Sequence, residues 1–136
     1  MWLRLVFLLA IEYGVVSGLR AQVDQSKTSI SGSLLDNINT LVAYVCSTYR
    51  TSTGTPAQEA VAVGDMWQYM ATWLKARNPG LVWQVHVFGK HGINGGKTDP
   101  LYSDVSSTTR KYKATCDGRR FFVQYSKNPY EKASNG

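Results

Sequence analysis

Apolar side chains recur along this chain at two different periods, and the change of period separates helices from strands. Leu34, Leu35, Ile38, Leu41, Val42, Val45 and Tyr49 follow helical spacing, which predicts a helix with one apolar face over residues 33–50. Ser33 and Asp36 suit its start, and Cys46 stands at the edge of its apolar face. The polar residues 51–54 interrupt the pattern, and Thr55-Pro56-Ala57-Gln58 restarts it. A threonine cap, a proline at the first helical position and a glutamine three residues after the cap form a strong start signal. The second helix is predicted to run to about Arg77, with a stripe of Ala60, Val63, Trp67, Met70 and Leu74, widened by Val61, Met66 and Trp73. Asn78-Pro79-Gly80 stops it.

From Leu81 the period falls to two. Leu81, Trp83, Val85 and Val87 share one face of a predicted strand, and Val82, Gln84, His86 and Phe88 share the other. The first set makes the better core. Residues 89–96 hold four glycines and read as a turn or loop. A short edge strand is expected within 97–103, since Pro100 is poorly suited to a central one. Asp117-Gly118 sits between two runs of alternating residues, the signature of a two-residue hairpin. Its register pairs Ala114 with Phe121 and Tyr112 with Val123. Tyr112, Ala114, Cys116, Phe121, Val123 and Tyr125 then share an apolar face, while Lys111, Lys113, Arg120, Phe122 and Gln124 share the other. The expected fold is α+β: two N-terminal helices packed on one face of a three- to four-stranded antiparallel sheet. In that arrangement Cys46 and Cys116 can meet in a disulfide.

The ends change the picture. A basic start, Arg4, precedes a mostly apolar run of about 12 residues over 5–16, with small residues following. Residues 1–21 therefore read as a cleavable secretory signal, although Glu12 interrupts the run. An amphipathic helix or membrane tether is the alternative, but the run is shorter than the ~20 residues that span a bilayer. Residues 22–32 are a polar, flexible lead-in, 33–128 the α+β domain and 129–136 a polar tail. The length of 136 residues with 43% hydrophobic and 18% charged residues suits one globular domain and excludes wholesale disorder. The formal charge of +6 favours acidic partners or anionic surfaces.

Little in the sequence suggests catalysis. His86 and His91 are the two histidines, and no His/Cys/Asp spacing matches a metal site. Gly89-Lys90-His91-Gly92 and Gly95-Gly96-Lys97 lack the spacing of a phosphate loop. No enzyme activity, cofactor or metal is expected. The mixed cationic and aromatic face of the hairpin can in principle hold phosphates and stack bases, but such a face is more often simply the wet side of a sheet. Nucleic acid is not the expected partner; a membrane surface stays open.

The order Asp65-Met66-Trp67-Gln68-Tyr69-Met70, Leu74, Lys75, Arg77 and Asn78-Pro79, followed by Trp83, Val85, Val87 and Gly89-Lys90-His91-Gly92, resembles the small dynein light chain family of peptide-binding hubs. The closing hairpin extends the likeness over residues 34–128. The resemblance implies two helices and then an antiparallel sheet, a homodimer, and partner peptides bound by strand addition. It implies a groove built from Trp83, Val85, Val87, Lys90 and Tyr102, with Gln68 and Thr72 from the second helix. Residues 101–105, with Tyr102 and Val105, are the candidate for the family's peptide-pairing strand. A light-chain role implies a cytoplasmic, cytoskeletal location and association with a microtubule motor, whereas the signal segment implies secretion of a divergent relative. The alternative is a small secreted basic toxin or effector, stapled by Cys46 and Cys116.

Overall fold

The computed structural model describes residues 19–50, 54–105 and 107–130. Most of the expected signal segment, part of the break between the helices and the end of the polar tail lie outside them. Five strands form one antiparallel sheet, and two helices cover one of its faces. In chain order the elements are β1 (Gln22–Val23), α1 (Gly32–Tyr49), α2 (Pro56–Arg77), β2 (Leu81–Phe88), β3 (Asn94–Thr98), β4 (Arg110–Cys116) and β5 (Arg119–Lys127). Across the sheet the order is β1-β4-β5-β2-β3. The class is the α+β one expected. The sheet has five strands where three or four were expected: β1 is added ahead of the helices, and the edge strand beside β2 lies earlier than expected, at Asn94–Thr98.

The helix starts show how local chemistry sets the boundaries. Thr55 Oγ1 accepts from the Gln58 backbone N–H at 3.2 Å, and Gln58 Oε1 accepts from the Thr55 N–H at 3.2 Å. This capping box satisfies donors that α2 would otherwise leave open. Thr55→Ala is expected to cost about 1 kcal/mol in a denaturant titration; no measurable loss would mean that the tertiary contacts of α2 alone hold its first turn. In α1 the cap is Ser31 rather than a residue at 33.

Ile38, Val42, Val45, Val63, Met66, Met70 and Leu74 are fully buried between the helices and the sheet. They meet Val85, Val87, Ala114, Phe121 and Val123 from the strands. The stripe of α2 holds the expected Val63, Met66, Met70 and Leu74, but its start differs: Ala60 and Val61 are exposed, whereas Glu59 and Ala62 point inward. Glu59 is inward as a member of a buried ion pair, described below. The hairpin register is the expected one, with Ala114 opposite Phe121 and Tyr112 opposite Val123. Asp117 and Gly118 turn it with φ of 53° and 77°, as a two-residue turn of this hand requires. Cys46 and Cys116 are joined in a disulfide.

Two segments differ from expectation. The lead-in contributes β1, and residues beyond it are tied down by the Ser29 and Ile30 N–H groups, which donate to Lys111 O at 2.8 and 3.1 Å. These bonds cover the edge of β4. Leu19 is buried, and Ala21 and Val23 pack on the core, so the packed unit begins ahead of residue 22. The glycine-rich stretch read as a loop holds β3, while residues 99–105 and 107–109 form turns and irregular backbone instead of an edge strand. Glycine is a poor strand former, but position 96 requires one: a Cβ there would collide with Val85 O, and one at position 95 would press on Trp67 Nε1 at 3.0 Å. The close approach of β2 and α2 thus favours the residues that obscure the strand.

Candidate functional site

A cleft of 320 Å³ opens where α2 runs along the β3 edge. Trp67, Gln68 and Thr72 from α2 form one wall, Lys97 and Asp99 the other, and Trp83 lies between them. The strand alternation explains the arrangement. Odd-numbered residues of β2 face the helices, and Lys97 lies opposite Val85 on that same face. Lys75 adds a second cation at the rim. Trp83 is buried, with its ring 5.1 Å from that of Tyr125 in an edge-on contact. Its Nε1–H is buried without a hydrogen-bond partner among the described residues, an arrangement that costs about 1–3 kcal/mol.

The edge itself is open. Gly89 N–H donates to Ile93 O at 2.7 Å and Asp99 N–H donates to Trp83 O at 2.9 Å. Antiparallel alternation between these two bonds turns the backbone groups of Gly95 and Lys97 towards β2. Those of Asn94, Gly96 and Thr98 then face outward, and no further strand covers them among the described residues.

Of the groove residues expected from the resemblance, Gln68, Thr72 and Trp83 come together in this cleft. Val85 and Val87 do not reach it; they are sealed in the core beneath the helices. Lys90 lies in the turn after β2, 3.9 Å from Asp117. Tyr102 sits on the opposite face of the sheet, where its hydroxyl donates to Gln124 Oε1 at 3.3 Å. Burial raises its pKa, with the Asp104 charge adding to the shift. Val105 is exposed in the 99–109 segment. The expected residues thus divide among the cleft, the core and the far face, and the strand beside the cleft is β3 instead of 101–105.

Beneath one end of β2 lies a feature that sequence reasoning missed. Glu59 and Arg119 are both fully buried and form a two-pronged ion pair, Nε to Oε2 at 2.7 Å and Nη2 to Oε1 at 2.6 Å. Lys90 N–H donates to Glu59 Oε2 at 2.8 Å, and Arg119 Nη1 donates to Asp117 Oδ2 at 3.1 Å. Burial pushes the Glu59 carboxyl up, but its bonds to Arg119 and the Lys90 N–H, with the charges of both residues, leave it below the usual carboxylate range. Gly89 is required here, since a Cβ would collide with Glu59 and Val63. One signal was available: Glu59 is four residues before the core position Val63, and Arg119 shares strand parity with Phe121 and Val123. Two opposite charges on inward positions imply a pair. Its constituents are saturated by one another, which suits a structural role.

His86 Nε2 stands 3.4 Å from Asn94 Oδ1, and His91 Nε2–H donates to Gly54 O. Neither ring is paired with a carboxylate among the described residues. No group of three or more His, Cys, Asp or Glu there could hold a metal ion, and no described helix is long and apolar enough to cross a membrane. No family model matches the chain, and no curated protein or solved structure is significantly similar to it.

Proposed function

We propose that this chain is a non-enzymatic binding module that takes an extended segment of a partner protein as an added strand on β3. The reading rests on one observation: the outward backbone groups of Asn94, Gly96 and Thr98 run beside a cleft walled by α2. In such binding, main-chain hydrogen bonds supply affinity and an adjoining pocket selects side chains. The helix pair followed by an antiparallel sheet agrees with the dynein light chain resemblance, and we place the protein as a divergent, exported relative of that family. The disulfide fits an oxidising compartment. The same edge would serve a homodimer through pairing of two β3 strands.

A peptide-display library panned against the full chain tests the proposal. Thr98→Pro removes an outward donor without breaking the ladder to β2, and Thr72→Trp fills the cleft. Both variants are expected to lose binding of the selected peptides at least tenfold, with circular dichroism unchanged. Peptides that bind both variants as well as the parent would refute strand addition at β3. Sedimentation equilibrium of the parent and of Thr98→Pro reports whether a dimer uses the same edge.

A further inference from the structure

We propose that the sheet face turned away from the helices is a second binding site, for single-stranded nucleic acid. The strand order sets its composition. Because β2 lies beside β5, the register aligns Lys113, Phe122, His86 and Gly96 in one cross-strand row. The next row holds Thr115, Arg120, Phe88 and Asn94. The Phe88 ring centroid is 4.6 Å from that of His86 and 5.3 Å from that of Phe122. Arg120 stands over Phe88 at 4.9 Å and Lys113 over Phe122 at 5.4 Å. Lys111 adds a further cation, and no outward-facing position of the five strands carries a carboxylate. Asp24 reaches this side, with Oδ2 3.8 Å from Lys113 Nζ.

The face is bounded at one end. Tyr102, Gln124, Gln84 and Thr98 form a chain of side-chain hydrogen bonds across the strands, of 3.3, 2.6 and 3.0 Å. Ser103 N–H closes that end by donating to Ser126 Oγ at 3.1 Å, which leaves Val82 and Ser126 buried. The rows beyond the glutamines stay open, and Gly96 leaves them unobstructed towards β3. Adjacent rings flanked by cations match the alternation of bases and phosphates in a single strand. A duplex hides its bases' faces and gives nothing to the rings. Phe88 and Phe122 are half-buried within the sheet surface, so they offer a bilayer little apolar area to insert.

Fluorescence anisotropy of the full chain with labelled 12-nucleotide oligo-dT and oligo-U tests the site, with a blunt duplex and phosphatidylserine vesicles as competitors. Single strands are expected to bind, with affinity falling linearly in log–log against salt. Lys111→Gln should lower that slope by about 0.7. Phe122→Leu and Phe88→Leu should each weaken binding roughly tenfold at unchanged slope, and Thr72→Trp, in the cleft on the helix side of the sheet, should leave it intact. Lys111→Gln, at an exposed side chain, carries the test should a phenylalanine variant unfold. The proposal is overturned by absence of binding at 50 mM salt, by equal competition from duplex or vesicles, or by folded leucine variants that bind like the parent.

Discussion

Replacing Glu59 with alanine is expected to lower the free energy of unfolding by about 3–5 kcal/mol. The substitution leaves the Arg119 guanidinium fully buried with Asp117 as its one charge partner among the described residues, and removes the acceptor for the Lys90 N–H. Since small domains are stable by about 5–15 kcal/mol, such a loss approaches unfolding. Replacing both members, Glu59→Leu with Arg119→Met, should recover much of it, because an apolar pair of similar volume avoids the desolvation of two ions. The pair also couples stability to pH. The Glu59 carboxyl is held below its ordinary value in the folded state, so its contribution is complete above that value, about 4.3. It is lost as the pH falls through the lower folded value. Urea titrations from pH 6 downward should show a steeper acid decline in the parent than in the double variant. A Glu59→Ala loss below 1 kcal/mol would show that the pair contributes little.

Substituting both Cys46 and Cys116 with alanine is expected to cost about 4 kcal/mol, the loop-closure value for a separation of 70 residues. The bridge ties α1 to β4, elements also joined by the Tyr112 hydroxyl donating to Asn39 Oδ1 at 2.8 Å. Much of the effect resides in the unfolded chain, which the bridge keeps compact. The alanine variant should therefore show a larger denaturant m-value together with a lower midpoint. An unchanged m-value with a loss under 1 kcal/mol would mean that the unfolded ensemble is compact without the bridge.

The groove expected from the resemblance was legible only in part. Gln68, Thr72 and Trp83 converge because helix and strand periodicity places them on facing surfaces. Val85 and Val87 share the parity of Trp83 but lie deeper under α2, and periodicity cannot tell the rim of a layer from its centre. β3 was hidden by composition. Gly95 and Gly96 carry no pattern, yet the backbone of Val85 and His86 makes glycine necessary at 96 and Trp67 crowds position 95. The outer platform was half visible, since the hairpin alone specifies Lys113, Arg120 and Phe122. His86 and Phe88 join them only because β2 pairs with β5.

By itself the sequence determined both helices, the capping box at Thr55, the β2 alternation, the Asp117-Gly118 register and the inward faces on which Cys46 and Cys116 can meet. Each of these follows from contacts within a helical turn or across a tight hairpin, or from two apolar faces that must close on one another. Tertiary structure alone decided the Glu59–Arg119 pair, the strand made of glycines, the open edge beside the cleft and the joining of the aromatic rows. These depend on which strands become neighbours and how closely α2 approaches them. Such choices are made between residues far apart in the chain, by shape and charge that no local period records.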